Sequence, residues 1–358
     1  MLPTSRPDRR HVLGTLAGGA LSSGALSSGL ASGLILPGTA WAQGAGGEGA
    51  ATQNQPAGRA GGSTSAPPTT VTVTGEQPVV SLQTWLDLYG RPLARVRLNG
   101  QGPFRFMVDT GSNTTVVSRS LAARLGLTLA EPAFVQGVTG STMAPRTVVR
   151  RVEIGNTITE NLRGVVFDGP AFAETDGILG MDMFAGRRVR FSFRRQEVDI
   201  EQSLSRLNLP IRAPMRLRNG LLVEVAGTVG GLQTRFILDT GAELSVINPA
   251  LLDQLTARRS RRTEPAVIMG ATNHELTGLW VAMPRIEVMG LTTTRLTVAA
   301  ADAPIFHTWG MVRQPVMLVG MDMLSQLETL VIDYRRRQLH LRLLAERLIG
   351  ADHATGQG

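Results

Sequence analysis

From about residue 79 the chain reads as short runs in which apolar and polar residues alternate, broken by Gly, Pro and Asn. Ala94-Arg95-Val96-Arg97-Leu98 before Asn99-Gly100 is one such run, and Val148-Val149-Arg150-Arg151-Val152-Glu153-Ile154 before Gly155 is another. A period of two over four to eight residues predicts half-buried strands. Helical spacing is confined to short pieces, of which Ser118 to Leu125 and Asn248 to Leu255 are the clearest; Asn248-Pro249 supplies a cap followed by Pro at the first turn. The pattern predicts an all-β protein with few helices. Ahead of it, Arg9-Arg10-His11-Val12-Leu13 opens a stretch with no Arg, Asp or Glu until Glu48, mildly apolar from Leu13 to Leu36 and ending in the small-x-small pattern Ala40-Trp41-Ala42. This predicts an export signal over residues 1–42. The paired Arg before a weak apolar core resembles a twin-arginine signal; an ordinary signal peptide and an uncleaved anchor are the alternatives. The Gly- and Ser-rich run is a poor spanning helix, so the expected product is periplasmic or secreted, with no stable membrane insertion once the signal is gone. Residues 43–78, rich in Gly, Ala, Ser, Thr, Pro and Gln, read as a flexible linker.

The strand-like region is an internal repeat. Phe104-Arg105-Phe106-Met107-Val108-Asp109-Thr110-Gly111-Ser112 recurs as Thr234-Arg235-Phe236-Ile237-Leu238-Asp239-Thr240-Gly241-Ala242, an offset of 130. Gln136-Gly137-Val138-Thr139 recurs as Met269-Gly270-Ala271-Thr272 at offset 133, and Ile178-Leu179-Gly180-Met181-Asp182-Met183 as Leu318-Val319-Gly320-Met321-Asp322-Met323 at offset 140. Three matches in one order describe two homologous lobes, placed at 79–205 and 206–350, each long enough to bury a core.

Composition narrows the chemistry. The absence of Cys excludes a disulfide scaffold, thiolate zinc, Cys-ligated clusters and a cysteine nucleophile. Five His residues, with no His-rich pattern and no phosphate-cradling loop, point to no metal and no cofactor. The net charge is +8 and every basic residue is Arg, yet the Arg residues are spread through the strand-like runs and only 4% of the chain is aromatic. Nucleic-acid binding is therefore not expected.

What remains is a strand of large apolar residues that runs twice into Asp-Thr-Gly. One such Asp is unremarkable in a turn. Two, in equivalent places of a duplicated domain, can meet at the pseudo-twofold axis, where the pair cannot easily ionise twice and holds one proton over a wide pH range. One member can take a proton from water while the other gives one to a substrate oxygen. Gly is read as the residue that permits the tight turn.

On both Asp-Thr-Gly motifs and both downstream apolar-apolar-Gly motifs, roughly residues 90–340 resemble an aspartic protease of the pepsin/retropepsin clan, specifically an exported bacterial protein with two retropepsin-like repeats. The resemblance implies a bilobal acid-protease fold with a central cleft and an aspartic endopeptidase acting on polypeptides. Asp109 and Asp239 would be the catalytic dyad. Thr110 and Thr240 would bond across the lobe interface, and Gly111 and Gly241 would allow the turns. Gly180 and Gly320 would end a strand threaded beside each turn. Gly137-Val138-Thr139-Gly140 would be the substrate-covering flap, with Gly270-Ala271-Thr272-Asn273 its counterpart. No Tyr lies in either, unlike pepsin-type flaps. Both halves share one chain, so a monomer is expected. The rival expectation is a cleft that grips peptides without cutting them.

The two turns differ after the Gly. Ser112 is expected to donate a hydrogen bond to Asp109 where Ala242 offers none, making Asp109 the ionised partner and Asp239 the proton carrier. Asp182 and Asp322 are expected to cap the short helices after the threaded strands. His274-Glu275 reads as a loop pair, Arg335-Arg336-Arg337 as a solvated strand turn, and Pro304–Trp309 as an inserted loop near the cleft or a surface patch.

Overall fold

The computed structural model describes residues 28–31, 34–35, 70–73, 79–87 and 90–344, apart from 156, 170, 171, 173, 205 and 206. The export signal and linker expected over 1–42 and 43–78 lie outside the described residues, a few short strands apart. No helix among the described residues is long and apolar enough to cross a membrane.

The protein is all-β and bilobal, and each lobe runs through the same order of elements. A hairpin comes first: Pro92–Leu98 with Gln101–Val108 in lobe one, Leu222–Val229 with Leu232–Leu238 in lobe two. Their two-residue loops, Asn99-Gly100 and Gly230-Gly231, have both residues at positive φ. That backbone twist matches the strands it joins, which explains Gly and Asn there. Each hairpin leads through a tight turn to a two-residue strand and a helix. Ser118 and Asn248 accept from Leu121 N and Leu251 N and so cap helices Arg119–Arg124 and Pro249–Arg258. The second helix runs three residues beyond its expected end, because Leu255 is buried mid-helix and no Gly or Pro stops the chain before Arg259.

A long hairpin follows in each lobe, Leu129–Gly137 with Ser141–Ile154 and Thr263–Gly270 with Glu275–Ala282. The threaded strands come later, after Thr157–Val166 in lobe one and after Ile286–Val288, Leu291–Thr293, Thr297–Ala300 and the helix Pro304–Thr308 in lobe two. Gly177–Leu179 pairs parallel with Phe106–Val108 and antiparallel with Val116–Val117; Val316–Val319 pairs in the same way with Arg235–Leu238 and Val246–Ile247. Both are wholly buried, so they are apolar throughout rather than alternating.

The lobes are joined by a shared sheet. Arg188–Ser192 of lobe one lies antiparallel to Thr329–Asp333 of lobe two, flanked by Glu197–Glu201 and Val79–Leu86 on one side and Gln338–Leu343 and Ile211–Pro214 on the other. Arg188 stands opposite Asp333 across the lobe boundary. Its Nε and Nη2 reach Asp333 Oδ2 at 3.1 and 3.0 Å, Ser203 Oγ donates to the same oxygen at 2.6 Å, and Glu201 takes Nη1 at 2.9 Å. A buried pair satisfied this fully fixes register. Arg335-Arg336-Arg337 forms the exposed turn of the last hairpin. Pro304–Thr308 is a helix with Ile305 and Phe306 buried, packed against the first long hairpin, so it is neither loop nor surface patch.

Candidate active site

The two equivalent turns meet between the lobes. Asp109 ends the Gln101–Val108 strand and donates its backbone N–H to Leu179 O at 3.0 Å; Asp239 donates to Val319 O at 2.9 Å. Each aspartate is thus pinned by its threaded strand, and both are fully buried. Thr110 N donates to Thr240 Oγ1 at 3.0 Å and Thr240 N to Thr110 Oγ1 at 2.9 Å. Thr110 Oγ1 donates to Leu238 O at 3.0 Å and Thr240 Oγ1 to Val108 O at 2.7 Å. Four reciprocal bonds, all buried, lock the turns across the interface.

The glycines have a different reason from the one the turn suggested. Neither Gly111 nor Gly241 lies in the left-handed region. A Cβ on Gly111 would stand 2.4 Å from Asp239 Cγ, and a Cβ on Gly241 2.4 Å from Asp109 Cγ. Each carboxyl rests on the other turn's glycine. Gly180 and Gly320 likewise lie against backbone, with a Cβ meeting Thr114 at 2.4 Å and Leu244 at 2.7 Å.

The expected Ser112 donor does not reach Asp109: its Oγ donates to Thr114 O at 2.7 Å. Backbone amides set the asymmetry instead. Asp109 Oδ1 accepts one, from Gly111 N at 2.7 Å, whereas Asp239 Oδ1 accepts two, from Gly241 N at 2.9 Å and Ala242 N at 3.1 Å. Burial raises both acids. The neighbouring Asp239 charge and the hydrogen bond between the carboxyls push Asp109 far up, while the same bond and the two amides hold Asp239 lower. Asp109 is thus the more strongly raised of the two, and the Ser112 bond on which the sequence expectation of an ionised Asp109 rested is not made. Buried Arg91, held by Asp87 through Nε at 2.6 Å and its own N–H at 2.9 Å, lowers both. The Oδ2 atoms of both aspartates are buried and accept no protein donor among the described residues.

Asp182 and Asp322 do not cap their helices; Gly180 and Gly320 occupy the cap positions, without a side-chain bond. Their carboxylates tie down the chain after each Asp-Thr-Gly turn. Asp182 accepts from Thr115 N at 3.0 Å and Oγ1 at 2.8 Å, and Asp322 from Ser245 N at 3.0 Å and Oγ at 2.6 Å. The same hydroxyls accept from Gly180 N and Gly320 N. Thr115 and Ser245 were not singled out from the sequence, although each lies six residues after its Asp and the repeat offset of 130 pairs them.

The tips of the long hairpins meet one another. Thr139 Oγ1 donates to His274 O at 2.8 Å, and Thr272 Oγ1 to Gly140 O at 3.2 Å. Gly137 packs against Thr272, Gly270 against Thr139 and Gly140 against His274 so closely that a Cβ on any of them would clash. Val138 and Ala271 at the tips are buried. Each expected flap thus closes on the other. His274 belongs to this contact, while Glu275 opens the next strand. Among the described residues no group of three or more His, Asp or Glu side chains is placed to share a metal ion.

A family model described as Aspartyl protease matches residues 94–183 and 225–323, together more than half of the chain and once in each lobe. No curated protein matches the chain.

Proposed function

The chain belongs to the aspartyl protease family, and we propose that it is an endopeptidase in which Asp109 and Asp239 form the catalytic dyad. The observation that carries this is the pair of buried carboxyls, each resting on the other's glycine and unequally served by backbone amides. Ionised Asp239 takes a proton from a water molecule as the water oxygen bonds to the scissile carbonyl carbon. Asp109 gives its proton to the carbonyl oxygen, so a neutral gem-diol forms. In the second half a proton passes to the amide nitrogen, the C–N bond breaks, and the new carboxyl and amine leave. No covalent intermediate is needed. Extended peptides offer backbone groups to the flap edges and alternate side chains to the lobes. Closed flaps exclude water and strengthen the dyad's electrostatics.

We place the mature enzyme outside the cytoplasm on the strength of the Arg9-Arg10 to Ala42 pattern, and as a monomer because both halves of the cleft come from one chain. The test is incubation with a mixed peptide library across pH 3–7. Cleavage by the wild type and loss of at least ~10³-fold in Asp109→Asn and in Asp239→Asn is expected. Peptide binding without cleavage would identify a non-catalytic cleft instead.

A further inference from the structure

The outer face of the shared sheet holds a polar pocket that includes no residue of the Asp-Thr-Gly turns or the flaps. In Arg188–Ser192, Val189 and Phe191 belong to the core, so Arg190 and Ser192 stand on the opposite face. Ser192 lies across the lobe boundary from Thr329, and Thr329 lies opposite Arg342. These side chains, with Arg194 and Arg195 from the turn that follows, line a pocket of about 350 Å³. That volume is at the lower end for small-molecule sites, ~300–1,000 Å³. Leu209, from the segment joining the lobes, is its one apolar lining residue, so the pocket suits a polar occupant.

The donors in this pocket are largely unspent. The acids nearest its arginines stand off: Arg190 is 3.9 Å from Asp199 and 4.0 Å from Glu201, Arg195 is 3.4 Å from Glu197 and Arg342 is 3.6 Å from Glu328. Glu201 is already committed to Arg188 at 2.9 Å. Arg194 is paired with no acid among the described residues. Four positive charges thus share the pocket with one lining carboxylate, that of Glu328. Ser192 is 3% exposed, and its hydroxyl oxygen is buried with no hydrogen-bond partner among the described residues. A buried hydroxyl left in that state costs stability. Val189 and Phe191 do the packing of this strand, so the fold alone has no use for a hydroxyl at 192.

We propose that the pocket binds a phosphomonoester, with the guanidinium groups and the Ser192 and Thr329 hydroxyls donating to its oxygens. Such a group carries about −1.5 to −2 charge at pH 7 and presents three strong acceptors, which matches a site of arginines and hydroxyls. A carboxylate has only two oxygens, and Glu328 already supplies one such group. The planar guanidinium fork bonds two phosphate oxygens at once, which Lys does not do. Arg190, Ser192, Arg194 and Arg195 come from lobe one and Thr329 and Arg342 from lobe two, so the bound group ties the lobes together across their shared sheet. A soluble ester and the headgroup of phosphatidic acid present the same chemistry.

The test uses the full chain and needs no catalysis, so it stands or falls apart from the endopeptidase reading. Thermal melts are taken against glycerol phosphate, with chloride at matched ionic strength as the reference. The wild-type melting temperature should rise and saturate with the ester. Ser192→Ala should melt at or above the wild type without ligand, having lost an orphaned hydroxyl, while its half-saturating concentration rises about tenfold or more. Arg194→Gln with Arg342→Gln should raise that concentration about a hundredfold. Arg262→Gln, at an exposed position of lobe two, should leave it unchanged. Flotation with phosphatidylcholine vesicles, with and without phosphatidic acid, separates the sources. Capture by the phosphatidic acid vesicles that Ser192→Ala weakens assigns a lipid-borne phosphate; a saturating melt without capture assigns a soluble one. Neither a saturable shift nor capture, the same response in Ser192→Ala as in the wild type, or an equal loss in Arg262→Gln overturns the proposal.

Discussion

Gly111→Ala puts a methyl group in place of a hydrogen at one of the most crowded points of the molecule. The new Cβ would stand 2.4 Å from Asp239 Cγ and 2.6 Å from both of its oxygens. Ordinary contact begins near 3.4 Å, so the carboxyl must retreat by about 1 Å. It cannot do so by parting the lobes, because the Thr110 and Thr240 bonds hold the turns together on both sides. Asp239 must rotate instead, which pulls it from the Gly241 and Ala242 amides and misaims it at the attacking water. A displacement of that size costs ~10² in rate, and overpacking a rigid site costs about 1–3 kcal/mol of stability. The control is Gly126→Ala, whose φ of +59° strains a side chain but whose Cβ would meet nothing within 4 Å; it should lose about 1–2 kcal/mol and no activity. Steady-state kinetics on a library-derived peptide, with thermal melts of both proteins, reads the contrast. If Gly111→Ala keeps kcat/KM within about threefold of wild type, the carboxyl does not rest on that glycine and the dyad geometry is wrong.

Ser112→Ala should leave the pH–rate profile in place, since its hydroxyl serves Thr114 O; a shifted acidic limb would restore it as a donor to Asp109. Thr110→Val removes one donor and one acceptor between the lobes and strands the Thr240 amide, which should cost about 3 kcal/mol by chemical denaturation; a loss under about 1 kcal/mol would contradict the lock. Thr139→Val with Thr272→Val severs both side-chain bonds between the flap tips, and hydrogen exchange at Val138 and Ala271 should speed up while the lobe strands keep their protection; unchanged tip exchange would refute the contact. Burial, opposed by the Thr115 bonds, raises Asp182 from 3.8 to about 6. Its folded state prefers the proton, so its contribution to stability is complete below pH ~4 and is lost as pH rises through about 6. Asp182→Asn should flatten that part of the melting-temperature profile between pH 4 and 7, and an unchanged slope would show that the carboxyl does not titrate there.

The fold and the candidate dyad were legible in the sequence because duplication writes the same constraint twice. Asp109 and Asp239, the Thr beside each, and the two apolar strands that thread past them are short-range patterns, and the repeat told which of them belong together. What escaped was decided by backbone. Which aspartate is favoured to hold the proton depends on whether the amide just after Gly111 or Gly241 points at a carboxyl, and a sequence gives Ser112 and Ala242 only their side chains. The role of Gly111 was misread for a related reason: a turn suggests conformational freedom, whereas the structure leaves the φ ordinary and fills the missing side chain's place with the opposite carboxyl. Thr115 and Ser245 were passed over because a hydroxyl in a polar turn has no distinguishing neighbour until the fold brings Asp182 and Asp322 to it. The meeting of the flap tips joins hairpins about 130 residues apart and depends on the closing angle of the lobes, which no local period encodes.

A duplicated chain also gains something that two identical subunits cannot have. In a symmetric pair the two carboxyls are interchangeable, and which one holds the proton is settled only when a substrate breaks the symmetry. Here the frame is nearly symmetric: the threaded strands, the Thr bonds and the glycine contacts repeat to within about 0.3 Å in hydrogen-bond length. The departure is confined to one amide, that of Ala242, which reaches Asp239 Oδ1. A second amide on one carboxylate stabilises its charged form by roughly the strength of a charge-assisted bond, about 1.5–3 kcal/mol before any offset. That is enough to bias one shared proton toward Asp109 by tenfold or more, in advance of substrate. On the proposed mechanism the acid and base are then assigned before substrate arrives, and a peptide entering the cleft meets a donor on one side and an acceptor on the other.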